Sequence, residues 1–260
     1  MDNRAIGVFD SGVGGLTVLK EIKKVLPNEN YIYIGDTASF PYGSKSKQTI
    51  IELSKKHVQK LISLDVKMIV IACGTATSQA LDEVKKIFDI PILGIINPTI
   101  EYLKKENLKR IGVIATTGTI RSKGWQNSLQ REINDVTVFS KACPLLAPMA
   151  EEGWTENEIA NLTIKEYLKD IKDIDALILG CTHYPLFEKL IKNELGDNTE
   201  IVNTGKMVAN EIKKYIKQNN LQNAIEKNLT EIYLTDTECN FIQVAQKILN
   251  LENINIKKIE

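Results

Sequence analysis

The sequence predicts an α/β protein built as two similar α/β domains with mainly parallel central sheets. The domains are expected to be related by a pseudo-twofold, with the active site between them. Three observations carry this. Short apolar runs of buried-strand type alternate with stretches of helical period along most of the 260 residues. Two of these runs, Lys67 to Thr77 and Asp175 to Pro185, end alike: a small residue, a cysteine, and a threonine within two positions. The order of elements also begins again partway along the chain. The Ile-Gly-Val run at Ile6 returns at Ile111, 105 positions on, and Cys73 returns as Cys181, 108 positions on. Offsets that agree this closely point to an internal duplication, although β-α alternation alone can imitate one.

Taken in order, Ala5 to Phe9 reads as a buried strand that ends at Asp10-Ser11-Gly12-Val13-Gly14-Gly15. A helix carrying Leu16, Val18, Leu19 and Ile22 follows and stops near Pro27-Asn28. Tyr31 to Ile34 is a second strand, followed by the polar loop Gly35 to Gly43 and a helix from about Lys47 to Leu64. The strand before Cys73 comes next, then a helix near Ser78 to Phe88 and a short strand at Ile92 to Ile95. Arg110 to Thr119 parallels the first strand and its loop, Val136 to Phe139 the second strand, and Asp175 to Gly180 the strand before Cys73. The remainder returns to the first half: a strand at Glu200 to Val202, a helix over Met207 to Tyr215, and a strand at Ile232 to Leu234. A final helix carries Phe241, Val244, Ala245, Ile248 and Leu249 on one face, which reads as packing on its own sheet. The expected division is 1–95 completed by 207–260 as the N-terminal domain, and 96–206 as the second.

Composition narrows the function classes. With 43% hydrophobic and 25% charged residues a packed core is expected. Formal net charge is zero and no basic tract is interleaved with aromatics, which argues against nucleic acid as a partner. The N-terminus lacks the charged-then-apolar layout of a signal peptide, and the run from Met68 to Cys73 is too short to cross a bilayer. The expectation is a cytoplasmic protein with no membrane partner. Four widely spaced cysteines without a C-x-x-C pair are expected to be free thiols. Only four arginines occur, so substrate carboxylates are expected to be held by backbone N–H groups, helix N-termini and hydroxyls.

The chemistry is sought first at Cys73 and Cys181. Each is expected at the carboxyl end of a strand with a helix beginning just after it. Open α/β sheets bind ligands there, and helix dipoles stabilise thiolates there. One thiol as base and its twin as acid would make a pair acting on one substrate. Cys143 and Cys239 keep the ordinary reading of small buried hydrophobes. His183, two residues past Cys181, reads either as a proton-exchanging partner of that thiol or as a packing residue. His57 reads as a surface or packing residue. Asp10 either tunes the Cys73 proton or caps a helix. Gly12-x-Gly14 after a strand, with Asp36 ending the next, invites a dinucleotide reading, but Thr17 stands at the third glycine position. A glycine-lined pocket for a small carboxylate explains the same residues. Thr75, Thr116, Thr119 and Thr182 fall in strand-end loops of both halves and suit a shared polar pocket. Glu151 is, from its surroundings alone, one acid among many.

These segments resemble the cofactor-independent glutamate racemases of the aspartate/glutamate racemase superfamily. The resemblance rests on Ile6 to Gly15, Gly35-Asp36-Thr37, Pro41-Tyr42-Gly43, the Cys73 strand, Gly118-Thr119-Ile120 and Gly180 to Pro185. It implies two α/β domains around the active site, with neither pyridoxal phosphate nor metal, and a homodimer. It implies that Cys73 and Cys181 flank the substrate Cα, one taking a proton while the other delivers one from the opposite face. Asp10 would assist Cys73, and His183 would assist Cys181, with Glu151 as a secondary acidic group. Asp10, Ser11, Pro41, Tyr42, Gly43, Gly74, Thr75, Thr116, Thr119, Thr182 and His183 would line the glutamate pocket. Two positions depart from the pattern: Gly74 stands where many members carry asparagine, and Ala115 where glycine is frequent. The implied activity is L- to D-glutamate conversion for peptidoglycan, with aspartate or a related acid as the alternative substrate. A metal enzyme using Cys73, Cys181, His183 and Asp10, and a two-domain binding protein without chemistry, are the other classes.

Overall fold

The computed structural model describes residues 1–224, 229–237, 241–250 and 256–259. Its first part runs β1 (Ile6–Asp10), α1 (Gly15–Val25), β2 (Tyr31–Gly35), α2 (Lys47–Ser63), β3 (Met68–Ile71), α3 (Gly74–Lys85), β4 (Ile92–Gly94) and α4 (Ile96–Lys105). The second runs β5 (Arg110–Ala115), α5 (Thr117–Arg121), α6 (Gly124–Glu132), β6 (Thr137–Ala142), α7 (Leu146–Glu151), α8 (Glu158–Leu168), β7 (Ala176–Leu179), α9 (Glu188–Leu195) and β8 (Glu200–Asn203). It closes with α10 (Thr204–Gln218), β9 (Thr230–Leu234), α11 (Phe241–Leu249) and β10 (Ile256–Lys258).

Two parallel sheets result, one ordered β10-β9-β2-β1-β3-β4 and the other β6-β5-β7-β8. The order β2-β1-β3-β4 is repeated as β6-β5-β7-β8, so the duplication read from the sequence is a repeat of topology. Register agrees as well. Ile6 pairs with Tyr31 and Met68, and Ile111 pairs with Val138 and Ala176. Cys73 lies five residues beyond Met68, and Cys181 five beyond Ala176. The two thiols therefore occupy one and the same position of the repeat.

The central strands are apolar because helices cover both sheet faces. All five residues of β1 and all four of β3 and of β7 are buried. Leu16, Leu19 and Ile22 of α1 are buried in the same cluster as Val208, Ile212 and Ile216 of α10. That packing returns the chain to the first sheet, where β9 pairs with β2.

Several sequence-level boundaries move. The helix after Cys73 begins at Gly74 rather than Ser78: Cys73 itself is the N-cap, and its carbonyl accepts from Thr77 N at 2.8 Å. No helix begins just after Cys181. A turn and a 3₁₀ segment, Tyr184–Phe187, intervene before α9. Pro185 contributes, since it has no N–H to give the Cys181 carbonyl in an α-helix starting there. α10 starts at Thr204, ahead of Met207, because the Asn203 side chain accepts from Gly205 N at 2.9 Å. The helices α4, α5, α6 and α8 have no counterpart in the sequence reading, and Cys239 lies outside the described residues. Among the described residues no helix is long and apolar enough to cross a membrane.

At the opposite edge from the cysteines, Lys67 is buried at the entrance to β3. Its Nζ donates to Glu29 Oε2 at 2.5 Å and to the carbonyls of Asp2 and Leu221 at 2.8 Å each. The other Glu29 oxygen accepts from Asn223 N at 3.0 Å. One ammonium thus ties the N-terminus, the α1–β2 loop and the segment after α10. Lys67→Met leaves Glu29 buried without its counter-charge, so unfolding free energy measured in denaturant is expected to fall by about 3–5 kcal/mol.

Candidate active site

The first wall is made by the carboxyl ends of β1 and β3. Cys73 is 4% exposed, and its Sγ lies 3.6 Å from Ser11 Oγ. Burial, then the charge of Asp10, push the Cys73 thiol up to about 12, against the opposing pull of the Ala76 N–H and Ser11. At neutral pH Cys73 is a neutral thiol, a proton donor. Asp10 is fully buried and makes no hydrogen bond to it. Asp10 Oδ2 accepts from Gly12 N at 3.1 Å and Gly15 N at 3.0 Å, anchoring the loop into α1. Oδ1 accepts from Thr182 Oγ1 of the second half at 3.2 Å. Burial raises the Asp10 carboxyl to about 6, although His183 and those donors pull the other way.

The second wall is made around the end of β7. Cys181 Sγ lies 3.6 Å from His183 Nδ1, and His183 Nε2 lies 2.7 Å from Glu151 Oε1. Glu151, the last residue of α7, also accepts from Val13 N of the first half at 3.0 Å. Thiol, imidazole and carboxylate form one line, ordered as in nucleophile–base–carboxylate triads. His183 is 1% exposed. Burial alone would lower its pKa, but contacts with Cys181 and Glu151 outweigh it and hold the ring well above its ordinary value. This wall sets a carboxylate-backed imidazole beside its sulfur, and the first wall has none.

The walls meet. Gly74, just after Cys73, packs on the carbonyl of Gly180, just before Cys181. The charge of Cys181 is among the influences that raise the Cys73 thiol. Thr75, Thr116 and Thr119 close a triangle of hydroxyls at 2.9, 3.0 and 2.9 Å, spanning both halves. Thr182 also belongs to the seam, its carbonyl accepting from Thr17 Oγ1 at 2.8 Å. Gly43 packs on Thr116, and the Phe40 ring stands 5.5 Å from that of His183. Between them, half-buried Pro41 leads into a 3₁₀ turn over Tyr42–Ser44.

Tyr42 differs from the other expected lining residues. It is buried, and its hydroxyl donates to Asp36 Oδ2 at 2.6 Å, away from any role as a free donor. Asp36 also accepts from Thr235 Oγ1 at 2.9 Å and lies 3.0 Å from His57 Nε2. Burial works to raise the Asp36 carboxyl, yet these partners hold it down at about 2. His57 is thus a packing residue, stacked on Phe9 with ring centroids 5.0 Å apart. The dinucleotide reading fails on space. Cβ atoms at Gly12 and Gly14 would run into Glu151 and into His183 and Thr182, so the glycine loop is filled by the second half. Among the described residues no group of His, Cys, Asp and Glu is placed to hold a metal ion. Asp10, Cys73, Cys181 and His183 thus do not form a ligand set. The sequence reading missed Val13, Thr17, Phe40 and the pairing of Asp36 with Tyr42. The first three contribute a backbone N–H, a hydroxyl and a ring across the seam, and no local pattern marks them. Asp36 and Tyr42 do carry a signal, a buried-strand end followed by a polar loop.

Comparison with known proteins agrees with this architecture. The profile of the family described as Asp/Glu/Hydantoin racemase matches residues 6–212. The glutamate racemase of Geobacter metallireducens is 40% identical over 250 residues, covering 95% of this chain and 93% of its own. The glutamate racemase of Francisella tularensis, solved in complex with D-glutamate, superposes with a TM-score of 0.94 at 36% identity, covering 100% of this chain and 98% of its own. The Picrophilus torridus aspartate racemase shares the fold, with a TM-score of 0.61 at 18% identity over 85% of this chain and 99% of its own. Matched along almost its whole length, the chain belongs to the Asp/Glu/Hydantoin racemase family and is an amino-acid racemase, an isomerase.

Proposed function

We propose that the chain interconverts L- and D-glutamate with two thiols and no other reacting group, supplying D-glutamate for peptidoglycan. The observation that carries the reading is the equivalence of Cys73 and Cys181: same position of the repeat, facing sheets, and backbones in contact beside both sulfurs. Inversion at a carbon needs a base on one face and an acid on the other, and a duplicated fold supplies the same side chain to both.

In one direction a thiolate at Cys181 takes the α-proton, forming its S–H, while the Cys73 S–H gives its proton to the opposite face of Cα. The reverse direction exchanges the roles. The α-ammonium of the substrate, entering the buried site, favours the thiolate that burial alone disfavours at Cys73. The Cα–H is a weak acid, so the developing charge on the substrate carboxylate has to meet preorganised donors. The hydroxyls of Thr75, Thr116 and Thr119 and the N-terminus of α3 would supply them. Glu151 and His183 are positioning and proton-holding partners of Cys181, and Asp10 and Ser11 those of Cys73. Pro41, Tyr42, Gly43, Gly74 and Thr182 form the rest of the wall. We further infer a division into 1–95 with 207–260 and 96–206, and a cytoplasmic homodimer, which sedimentation of the purified chain tests.

Circular dichroism of L-glutamate with the purified chain is the direct test. Decay of the signal to zero is expected, and faster decay with aspartate would reassign the substrate. Cys73→Ser and Cys181→Ser are each expected to reduce inversion by at least about 10³-fold, since a serine hydroxyl is a far weaker acid than a thiol. Inversion in either variant near the wild-type rate sinks the two-thiol scheme. Glu151→Gln removes a charge that raises His183, so the pH–rate limb belonging to the imidazolium is expected to move to lower pH.

Asp10 makes a separate prediction about stability. Its folded pKa of about 6 lies above the ordinary 3.8, so folding favours its protonated form. Its contribution is greatest below the ordinary value and declines as pH rises to about 6. Asp10→Asn lacks this decline, so its stability relative to wild type is expected to increase by about 1 kcal/mol between about pH 5 and pH 8. Denaturant titrations at the two pH values measure it.

A further inference from the structure

We infer that Thr17 is a positioning residue: its hydroxyl, reaching across from the first half, fixes the peptide between Thr182 and His183 and so holds the imidazole in line with Cys181. The inference rests on the two-thiol reading above and concerns the alignment of one of its two walls.

The need for an outside donor begins with the sequence. In the tight turn after Cys181, backbone bonds run from an N–H to the carbonyl three residues before it. Tyr184 N donates to Cys181 O and Leu186 N to His183 O, each at 3.1 Å. The bond between these two is missing, because residue 185 is proline and has no N–H for the Thr182 carbonyl. Thr182 is buried, and a buried carbonyl without a donor is costly. Thr17 Oγ1, in the first turn of α1, meets the need at 2.8 Å from Thr182 O. The same hydroxyl lies 2.8 Å from Gly14 O, but that carbonyl already accepts from Thr17 N at 2.9 Å. A hydroxyl has one proton to give, and Thr182 O is the acceptor that lacks its local donor.

The consequence falls on His183. Its backbone N shares a peptide plane with the Thr182 carbonyl, so the bond from Thr17 fixes the orientation of that plane. From there the ring reaches Cys181 Sγ at 3.6 Å through one nitrogen and Glu151 Oε1 at 2.7 Å through the other. The first half holds the rest of this line as well, Val13 N on Glu151 and Asp10 Oδ1 on the Thr182 hydroxyl. The ionisable groups facing the imidazole are Cys181 and Glu151 of its own half and Asp10 of the first. The Cys73 wall is held differently. Gly74, the counterpart of Thr182, lies inside α3, whose own N–H groups serve its carbonyls. Ser122, 105 positions after Thr17, donates at 2.7 Å to Thr119 O of its own half.

Thr17→Val keeps the shape and removes the proton. The Thr182–His183 peptide then has to turn towards another donor and carries the ring off its line. Misplacement of reacting groups by about 1 Å lowers rates about 10²-fold. Circular dichroism with L-glutamate is expected to show kcat lowered about 10- to 100-fold, with KM changed less than about threefold. Thr17→Ser keeps the hydroxyl and is expected to stay within about threefold of wild type. A double-mutant cycle separates alignment from general loosening. With Glu151→Gln, which already frees the ring, Thr17→Val is expected to add less than about threefold. With Ser11→Ala, on the Cys73 wall, the two losses are expected to multiply within about twofold. Turnover of Thr17→Val within about threefold of wild type, Thr17→Ser no faster than Thr17→Val, or losses that multiply alike with both partners, each overturns the inference. Should Thr17→Val not fold, Thr17→Ser carries the test: near wild-type turnover supports the hydroxyl, and a loss beyond about tenfold overturns it. Wild-type protein that leaves glutamate unchanged overturns the functional reading instead.

Discussion

Everything at the site depends on how closely two parallel sheets approach at their carboxyl ends. The loops there carry almost no side-chain bulk on the facing surfaces. Gly12 and Gly14 leave room for Glu151 and His183, Gly43 for Thr116, and Gly74 for the Gly180 carbonyl. Polar bonds then cross the gap: Val13 N to Glu151, Thr182 to Asp10, Thr17 to Thr182, Thr75 to Thr116 and Thr119. Such bonds gain strength in a water-poor interior, and each buried group without its partner would cost about 1–3 kcal/mol. The halves are therefore held in a defined relation by groups that also belong to the chemistry.

Symmetry of position is combined with asymmetry of surroundings. Cys73 and Cys181 lie at one point of the repeat, yet their neighbours differ in charge and in the source of their hydrogen bonds. Cys73 is the N-cap of a helix, which favours the thiolate, but its burial and the charge of Asp10 outweigh that and hold it as a thiol. Cys181 is followed by a proline-bearing turn, which places His183 where a first helical turn would otherwise run. A helix beginning at once, as after Cys73, would carry the residue two positions on to a different side of its axis. The difference between the two acid–base environments thus follows from the turn after Cys181 as much as from the histidine.

The loop from Asp36 to Gly43 shows a further dependence. Its far edge touches His183 and Thr116, but its hold on the first half lies in Asp36, which gathers Tyr42, Thr235 and His57. Thr235 sits immediately after β9, so the returning C-terminal segment helps position a loop at the opposite half of the seam. The fold and the site are connected through a carboxylate that touches neither thiol.

The sequence by itself determined the α/β class, the repeat, and the two cysteines at equivalent strand ends. Those features are written in local pattern: a strand buried on both faces has to be continuously apolar, and Cys73 and Cys181 each close such a run. Thr75, Thr116 and Thr119 were legible as a polar set for the same reason, as residues of strand-end loops. The tertiary structure alone decided that Glu151 lines up behind His183, that Asp10 reaches Thr182 instead of Cys73, and that Tyr42 turns to Asp36. Those are contacts between residues far apart in the chain, made only once the sheets face each other, and no periodicity records them. Gly74 is the plainest case. In the sequence it is a small residue after a cysteine, and only the folded chain brings the Gly180 carbonyl against it.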